Sequence, residues 1–286
     1  MILITGANGH LGSATIGYLL MKNPLLKLKA LVRSEEKGKA LKAKGVDISI
    51  GDYLKYDSLP DAMEGAETIL LISSSTLSNR YSQHANAIKA AKESGVRHIV
   101  YTSFLKANPD SKFSAGIDHF KTEELIKNSG MSYTIMRNTY YADFLPNIIG
   151  NAVETGAIFY SAGNAKVNFA LRSEMAEANA VVLSNLSAHK NKVYEITSAS
   201  KYSFEEIAEF LSELTGKQIK YVDIPVEMLK ENIMKSGLPE EVADLMGSIA
   251  ESMKAGEFDF VDLTLENIIG RKPADLKDFL RNVYSK

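Results

Sequence analysis

The sequence contains no cysteine among its 286 residues. This absence excludes disulfide bonds, thiolate catalysis and metal sites with cysteine ligands. No apolar run approaches the about 20 residues that a membrane helix needs, and the start of the chain has no basic leader of the kind that precedes a secretory signal. We therefore expect a cytoplasmic protein without membrane insertion.

Strong charge is also missing, because the formal net charge is only −2. A basic surface for direct binding of nucleic acid is not expected. No His, Asp and Glu residues have the spacing of metal ligands, and neither a G-x-S-x-G elbow nor a Walker lysine is present. The sequence therefore favours neither a metalloenzyme nor a hydrolase or kinase.

The first half of the chain alternates short apolar runs with helical segments. Such alternation predicts an α/β fold of Rossmann type, with a doubly wound parallel sheet. Ser34 is expected to cap a helix over Glu35–Lys44, and another helix is expected from Asp118 to a stop at Gly130. The predicted strands are Ile2–Thr5, Leu28–Val32, Val46–Ile50, Thr68–Ile72, His98–Thr102 and Tyr133–Arg137.

After Arg137 the pattern becomes mainly helical. We expect an NAD(P)-binding Rossmann domain over residues 1–145 and a smaller, mainly helical substrate-binding part over residues 146–286, some of whose segments return to the main sheet. Ser203 and Glu206 have the spacing of a capping box. The further predicted elements are strands at Ala157–Tyr160, Val167–Ala170 and Val193–Thr197 and a helix at Ser173–Leu186.

A glycine turn separates the first predicted strand from the first helix. Its residues are Gly6, Ala7, Asn8, Gly9, His10, Leu11 and Gly12. Small residues here let the chain reverse and let its backbone approach a pyrophosphate, which the positive end of the helix attracts. The turn predicts a dinucleotide site, and the alternative is a tight turn without a ligand.

The residues after the next strands indicate which dinucleotide is bound. Arg33 follows the second strand, where a guanidinium suits the 2′-phosphate of NADP(H), so NADP(H) is preferred and NAD(H) remains an alternative. A surface Arg33 paired with Glu35 or Glu36 is the other interpretation. Asp52 is expected either at the adenine or in a loop cap, and Ser73, Ser74 and Ser75 either beside the dinucleotide or in a polar turn.

These motifs, together with two later ones, resemble the NmrA-like group of atypical short-chain dehydrogenases/reductases. Within that group, the sequence is most similar to the bacterial type-2 NAD(P)H:quinone oxidoreductases, and it also resembles the triphenylmethane reductases. The segments that carry the resemblance are Gly6–Gly12, Leu31–Arg33, Gly51–Tyr53, Leu71–Ser75, Tyr101–Ser103 and Tyr133–Asn138. The resemblance covers nearly the whole chain.

Ordinary members of the superfamily carry a Tyr-x-x-x-Lys pair, which is absent here. Ala115 stands at the Tyr position and His119 at the Lys position. General acid–base help is typically worth about 10²–10⁴-fold, and an unactivated ketone needs it. A quinone needs less help, because hydride addition produces a delocalised phenolate that solvent can protonate later. The missing pair therefore favours a planar, electrophilic acceptor.

Several residues are candidates for the reaction end of the site. His119, with an ordinary pKa of about 6.5, would deliver a proton near neutrality. Ser103 is expected at the nicotinamide or the substrate, or else in a loop cap. The resemblance places Asn138, Tyr140, Tyr141 and Asp143 along the nicotinamide and the acceptor slot, with Asn138 holding the carboxamide. Packing is the alternative for His119 and for the two tyrosines, and Phe144 and Phe169 are expected in the core.

The sequence thus predicts an oxidoreductase that moves hydride from NADPH to a quinone or a similar planar acceptor. One alternative is a non-catalytic NADP-binding redox sensor of NmrA type, because such a protein does not need the Tyr-Lys pair. The other is a sugar-nucleotide epimerase-like enzyme, which the missing pair disfavours. We expect a small-molecule substrate, and a monomer and a homodimer are both compatible with the sequence.

Overall fold

A computed structural model describes residues 1–76 and 78–285. The strands in chain order are β1 (Ile2–Ile4), β2 (Leu28–Val32), β3 (Asp47–Ile50), β4 (Thr68–Leu71), β5 (His98–Phe104), β6 (Ser132–Asn138), β7 (Tyr140–Tyr141), β8 (Ala157–Tyr160), β9 (Val167–Ala170), β10 (Lys192–Ile196), β11 (Lys201–Tyr202) and β12 (Lys220–Asp223). The α-helices are α1 (His10–Lys22), α2 (Glu35–Lys42), α3 (Leu59–Met63), α4 (Arg80–Glu93), α5 (Ser114–Lys127), α6 (Leu145–Ile149), α7 (Ala152–Thr155), α8 (Arg172–Ser184), α9 (Leu186–His189), α10 (Phe204–Thr215), α11 (Val226–Lys235), α12 (Glu240–Lys254), α13 (Thr264–Ile269) and α14 (Leu276–Tyr284).

The main sheet has seven strands in the order β10-β6-β5-β4-β1-β2-β3. The neighbouring pairs from β3 through β2, β1 and β4 to β5 are parallel. Strands β1, β4 and β5 are buried along their whole length, as expected for strands that helices cover on both faces. The prediction of a Rossmann-type sheet is therefore confirmed.

The chain divides into two units that interleave along the sequence. Unit 1 comprises residues 1–107, 118–137 and 172–194, and unit 2 comprises residues 108–117, 138–171 and 195–286. In unit 1, α8 packs along α1. Unit 2 contains a small sheet of the order β11-β9-β7, the parallel pair β8 and β12, and the helices α10 to α14. No helix among the described residues has the length and apolar character to cross a membrane.

The helix starts that were predicted from the capping residues Ser34 and Ser203 agree with the structure. Ser34 accepts a hydrogen bond from the Lys37 amide, and Ser203 and Glu206 form both bonds of the capping box. Two helix predictions were wrong. Helix α5 begins at Ser114 rather than Asp118, because burial of Ala115 offsets the low helix propensity of Gly116.

The predicted helix over Ser173–Leu186 is also interrupted. Asn185 leaves the helical conformation with φ −144°, and its side chain accepts a hydrogen bond from Ser187. Asparagine competes with the helix in this way because its side chain bonds to groups nearby in the chain. The segment therefore forms α8 and the short α9.

Two buried histidines stabilise the sheet and its neighbouring helices only while they are neutral. His98 Nε2 lies 2.9 Å from Thr134 Oγ1, and that hydroxyl donates to the His189 carbonyl, so His98 donates through Nε2. Burial and then the charges of Lys190 and His189 lower the pKa of His98 to about 4. Burial and the charge of Arg80 lower the pKa of His84 to about 3.

These shifts predict that acid destabilises the fold. In the unfolded chain His84 and His98 bind protons as the pH falls through about 6.5, whereas in the folded protein they stay neutral. The free energy of unfolding is therefore highest above this pH and decreases below it. Well below pH 6.5, each of these histidines lowers the free energy of unfolding by about 1.4 kcal/mol for each further pH unit. We expect His98→Gln to reduce this pH dependence in denaturant unfolding measured from pH 7 to 5. The exposed His10, changed to Gln, should retain the wild-type dependence. An unchanged slope in His98→Gln would contradict the assignment.

Candidate active site

Parallel strands bring most of the predicted cofactor residues of unit 1 to one edge of the sheet. Strands β1, β2, β4 and β5 are parallel neighbours, so their carboxyl ends lie at the same edge. The glycine turn follows β1, Arg33 follows β2, Ser73–Ser75 follow β4, and Ser103 lies near the end of β5. This edge is where open α/β sheets bind their ligands.

The glycine turn folds tightly because its glycines accept close backbone contacts. Gly6 has φ +55°, and its carbonyl accepts a hydrogen bond from the Gly9 amide at 2.9 Å. A Cβ atom on Gly12 would lie 2.5 Å from the Gly6 carbonyl oxygen. A side chain at position 12 is therefore incompatible with this turn.

The turn leaves the start of α1 without a side-chain cap. Gly9 is the N-cap residue, and the first turn of the helix contains no acidic residue. Gly6, Asn8, Gly9 and His10 are exposed, whereas the side chains of Ala7 and Leu11 are buried, so these two can reach a ligand only through their backbone. The free amides at such a helix start suit a phosphate.

The hydroxyl of Thr5 holds the end of β1 against the end of β4. It donates to the Leu70 carbonyl at 3.0 Å and accepts from the Ile72 amide at 2.9 Å. These two bonds fix the glycine turn relative to the serine segment that follows β4.

Arg33 is exposed directly after β2. The alternative from the sequence was an ion pair between Arg33 and Glu35 or Glu36. Within residues 1–76 and 78–285, no carboxylate forms an ion pair with Arg33, and Glu36 pairs with Lys39 instead. The guanidinium is thus available to an anionic ligand.

Asp52 organises its own loop. One carboxylate oxygen accepts from the Leu54 amide at 3.0 Å, and the Asp52 amide donates to the Ser58 hydroxyl. These contacts agree with the loop-cap interpretation. An adenine contact at Asp52 stays a prediction.

The Ser73–Ser75 segment is held by neighbouring elements of unit 1. The Ser73 amide donates to Thr102 Oγ1 of β5, and the Ser74 amide donates to His84 Nε2 of α4, each at 2.9 Å. The Ser74 hydroxyl bonds to Gln83, and Ser75 is exposed. The backbone of the segment is therefore fixed before any ligand arrives.

Ser103 contacts a buried carboxylate that the sequence analysis missed. Its hydroxyl donates to Glu123 Oε1 at 2.6 Å, and Arg137 binds both carboxylate oxygens of Glu123 at 2.9 and 2.8 Å. A buried carboxylate needs a paired charge and hydrogen bonds of this kind to offset its loss of hydration. The strand period of two and the helix spacing of four would have placed Tyr101 and Ser103 opposite His119 and Glu123.

His119 is buried and neutral, contrary to the expectation of an ordinary pKa. Its side chain is 5% exposed, and its Nδ1 lies 2.7 Å from the hydroxyl of Tyr101. Burial, followed by the charges of Arg80 and His84, holds the pKa of His119 well below 6.5. Proton donation by a charged His119 near neutrality is therefore not supported, although a neutral ring remains a hydrogen-bond donor.

Asn138 and Tyr141 lie in unit 2. Asn138 is 3% exposed, its Nδ2 donates to the Tyr141 hydroxyl at 3.4 Å, and its buried Oδ1 has no partner among the described residues. The Tyr141 ring stacks on Phe144 with centroids 5.9 Å apart. Phe144 is 40% exposed, so the expectation that it lies in the core was wrong. The pair presents aromatic surface rather than filling the interior.

Tyr140 belongs to the core of unit 2. Its ring meets Phe169 and Phe258 edge to face at 6.0 and 5.9 Å, and Phe169 is buried as expected. Burial raises the pKa of Tyr140, so its hydroxyl keeps its proton. The packing interpretation therefore describes Tyr140 better than stacking on an acceptor does. Asp143 is half-buried in a short 3-10 turn over Ala142–Phe144.

The residues that would supply acid catalysis in ordinary members of the superfamily are replaced here. Ala115 and His119 occupy the positions of the missing Tyr and Lys, and both are buried. No group of three or more His, Asp or Glu residues that could hold a metal ion is present in the described part of the chain. The backbone amides at the start of α1 and the guanidinium of Arg33 are instead suited to hold the phosphates of a dinucleotide.

Comparisons with known proteins agree with this geometry. Quinone oxidoreductase 2 of Escherichia coli strain K12 is 35% identical over 286 residues, which cover 100% of this chain and 99% of that protein. Its crystal structure with NADPH has a TM-score of 0.94 and covers 99% of this chain and 100% of that one.

Two further relatives reduce other compounds, according to their names. The structure of Citrobacter sp. triphenylmethane reductase with NADP(H) is 35% identical, has a TM-score of 0.93 and covers 99% of each chain. The NAD(P)H azoreductase of Xenophilus azovorans is 28% identical over 98% of this chain and 97% of that protein.

The family comparison spans both units. The model of the NmrA-like family matches residues 1–283, which is nearly the entire sequence. The chain therefore belongs to the NmrA-like family.

Proposed function

We propose that this protein is an NADPH-dependent reductase whose acceptor is a quinone or a similar planar, electrophilic compound. The observation that carries the proposal is the exposed glycine turn at the uncapped start of α1, followed on the neighbouring strand by Arg33, which pairs with no carboxylate of the described residues. The 35% identity to quinone oxidoreductase 2 over the full chain supports the acceptor class.

The residues present fit NADP(H). The amides at the start of α1 bind the pyrophosphate, and Arg33 binds the 2′-phosphate with a planar, permanently charged donor. The buried Oδ1 of Asn138 has no hydrogen-bond partner in the part of the chain that the structure describes, and burying such an atom is costly unless a donor meets it. The N–H group of a carboxamide is a donor that would satisfy this oxygen.

Bound NADPH supplies the hydride. The protein contributes orientation and proximity, which are worth more to an electrophilic acceptor than acid catalysis is. Tyr141 and Phe144 offer a stacked aromatic surface to a planar compound. Because His119 is neutral and the Tyr-x-x-x-Lys pair is absent, the product receives its proton from solvent.

Turnover decides between the reductase and the non-catalytic sensor. We expect the purified protein to oxidise NADPH in the presence of a benzoquinone well above the uncatalysed rate, because the acceptor needs no protein acid. The loss of reduced-nicotinamide absorbance measures it. Binding of NADPH without turnover of a quinone, an azo compound or a triarylmethane dye would support the sensor instead.

Arg33 should determine the preference for NADPH. We expect Arg33→Ala to weaken NADPH binding by about 10- to 100-fold, the loss of one or two charge-assisted hydrogen bonds, and to leave NADH binding unchanged. Calorimetric titration with both dinucleotides measures the difference. Lys39→Ala, which removes an exposed charge from α2, should change neither affinity. Equal losses for NADPH and NADH in Arg33→Ala would refute a 2′-phosphate contact.

Two glycines of α1 provide a matched test of the phosphate site. Gly12→Ala places a Cβ 2.5 Å from the Gly6 carbonyl oxygen, so we expect at least about 10-fold weaker NADPH binding as the turn opens. Gly17→Ala meets no atom within 4 Å and should bind normally, with a gain in stability of up to about 1 kcal/mol. Titration and thermal unfolding of both variants check this pair, and normal NADPH affinity in Gly12→Ala would place the dinucleotide elsewhere.

A further inference from the structure

A chain of buried polar side chains runs between α4, β5 and α5 within unit 1. His84 and Thr122 are fully buried, and Tyr101 and His119 are 0% and 5% exposed. The Tyr101 hydroxyl lies 2.7 Å from His119 Nδ1 and 3.4 Å from His84 Nδ1. The directions of these hydrogen bonds follow from one backbone amide.

The amide of Ser74 determines the tautomer of His84. It donates to His84 Nε2 at 2.9 Å, so this nitrogen carries no proton. The single proton of the neutral ring is therefore on Nδ1. Thr122 Oγ1 lies 3.0 Å from Nδ1 and gives its own proton to the Asp118 carbonyl, so it accepts the proton of His84.

The tautomer of His84 then determines the direction of the Tyr101 hydroxyl. A protonated Nδ1 of His84 cannot accept a hydrogen bond, and Thr122 Oγ1 already accepts the proton of His84. The Tyr101 proton therefore goes to His119 Nδ1, which lies 2.7 Å from the Tyr101 hydroxyl. The one proton of neutral His119 must be on Nε2. Within the described residues of unit 1, no acceptor bonds to this Nε2–H group.

The surroundings keep His119 neutral. Arg80 and His84 face it from α4, Tyr101 faces it from β5, and Asp118 and Glu123 lie on its own helix. The carboxylate of Glu123 is already bound to Arg137 and Ser103. Burial and the charge of Arg80, the first two causes of the low pKa of His119, both oppose a second proton on the ring. Phe104 stacks on the same ring with centroids 6.1 Å apart.

We propose that His84 and Tyr101 are positioning residues that hold His119 as a neutral Nε2–H hydrogen-bond donor. The inference rests on the proposed function in one respect, which is that this donor serves the nicotinamide ribose or the acceptor oxygen. The chain of bonds begins at a backbone amide, which does not release its proton during turnover. The chain therefore orients a donor and cannot resupply protons, in contrast to a relay that connects to solvent.

The tautomers are directly measurable without any substrate. Long-range ¹H–¹⁵N spectra of histidine-labelled protein, assigned with single His→Gln variants, distinguish protonated from unprotonated ring nitrogens. We expect Nδ1–H for His84 and Nε2–H for His119. Neither ring should titrate between about pH 5.5 and pH 8, the range in which a histidine with the ordinary pKa of about 6.5 would do so. An Nδ1–H His119, or a His119 that titrates in this range, would overturn the proposal.

Tyr101→Phe tests the positioning role. It removes the donor to His119 Nδ1, so we expect the His119 signals to change toward a mixture of tautomers while those of His98 remain. Tyr194→Phe is the matched control, because it removes a hydroxyl 2.9 Å from His189 Nδ1, which is also in unit 1. That variant should change the His189 signals only.

Kinetics connect the tautomer to turnover. We expect Tyr101→Phe to lower kcat by about 10-fold and to change the KM for NADPH less, because one neutral hydrogen bond contributes about one such factor. The pH profile of wild-type kcat should show no acid limb between pH 6 and 8. Normal kcat in Tyr101→Phe would refute the positioning role even with the expected spectra. A wild-type protein without turnover would refute the reductase proposal, whereas the spectra decide the tautomer assignment in either case.

Discussion

The approach of helix α1 to the preceding turn is the steric constraint on which the proposed site depends. Gly12 lies so close to the Gly6 carbonyl that no side chain fits between them. This approach brings the first amides of α1 to the edge of the sheet, and Thr5 fixes the end of β1 against β4 at the same edge. The proposed anion site therefore consists of backbone groups whose positions are set before a ligand binds.

Charges in unit 1 are distributed in two contrasting ways. The buried carboxylate of Glu123 receives two hydrogen bonds from the partly buried Arg137, so the two charges neutralise each other within the protein. Arg80 is 9% exposed and donates to the Thr76 carbonyl, and its positive charge opposes protonation of His84 and His119. Since Arg80 is a cation beside two imidazoles, the interior of this unit favours neutral rings over charged ones.

The sequence predicted the features that local rules determine. Apolar runs marked the strands, polar residues and glycines marked the helix ends, and the spacing of Gly6, Gly9 and Gly12 marked the turn. The capping box at Ser203 and Glu206 needed only four residues of context, and it was correct. Local signals were thus sufficient for the Rossmann sheet and for the edge where the candidate cofactor residues of unit 1 lie.

Features that depend on contacts distant in sequence were not predictable in the same way. The pKa of His119 depends on burial and on Arg80 and His84, and its hydrogen bond depends on Tyr101, all of which involve other elements of the fold. The aromatic contacts of Tyr140 with Phe169 and Phe258 join segments far apart in the chain, whereas Phe144, close in sequence, proved exposed. A side-chain type alone does not reveal which neighbours surround it.

The bond between Ser103 and Glu123 has a consequence for recognition. A hydroxyl carries one proton and two lone pairs, and the proton of Ser103 is held by a carboxylate that Arg137 neutralises. Toward anything else, this oxygen is an acceptor only. A compound that hydrogen-bonds to the Ser103 oxygen must therefore provide an N–H or O–H donor. A carbonyl oxygen would instead be repelled by the lone pairs of the Ser103 oxygen.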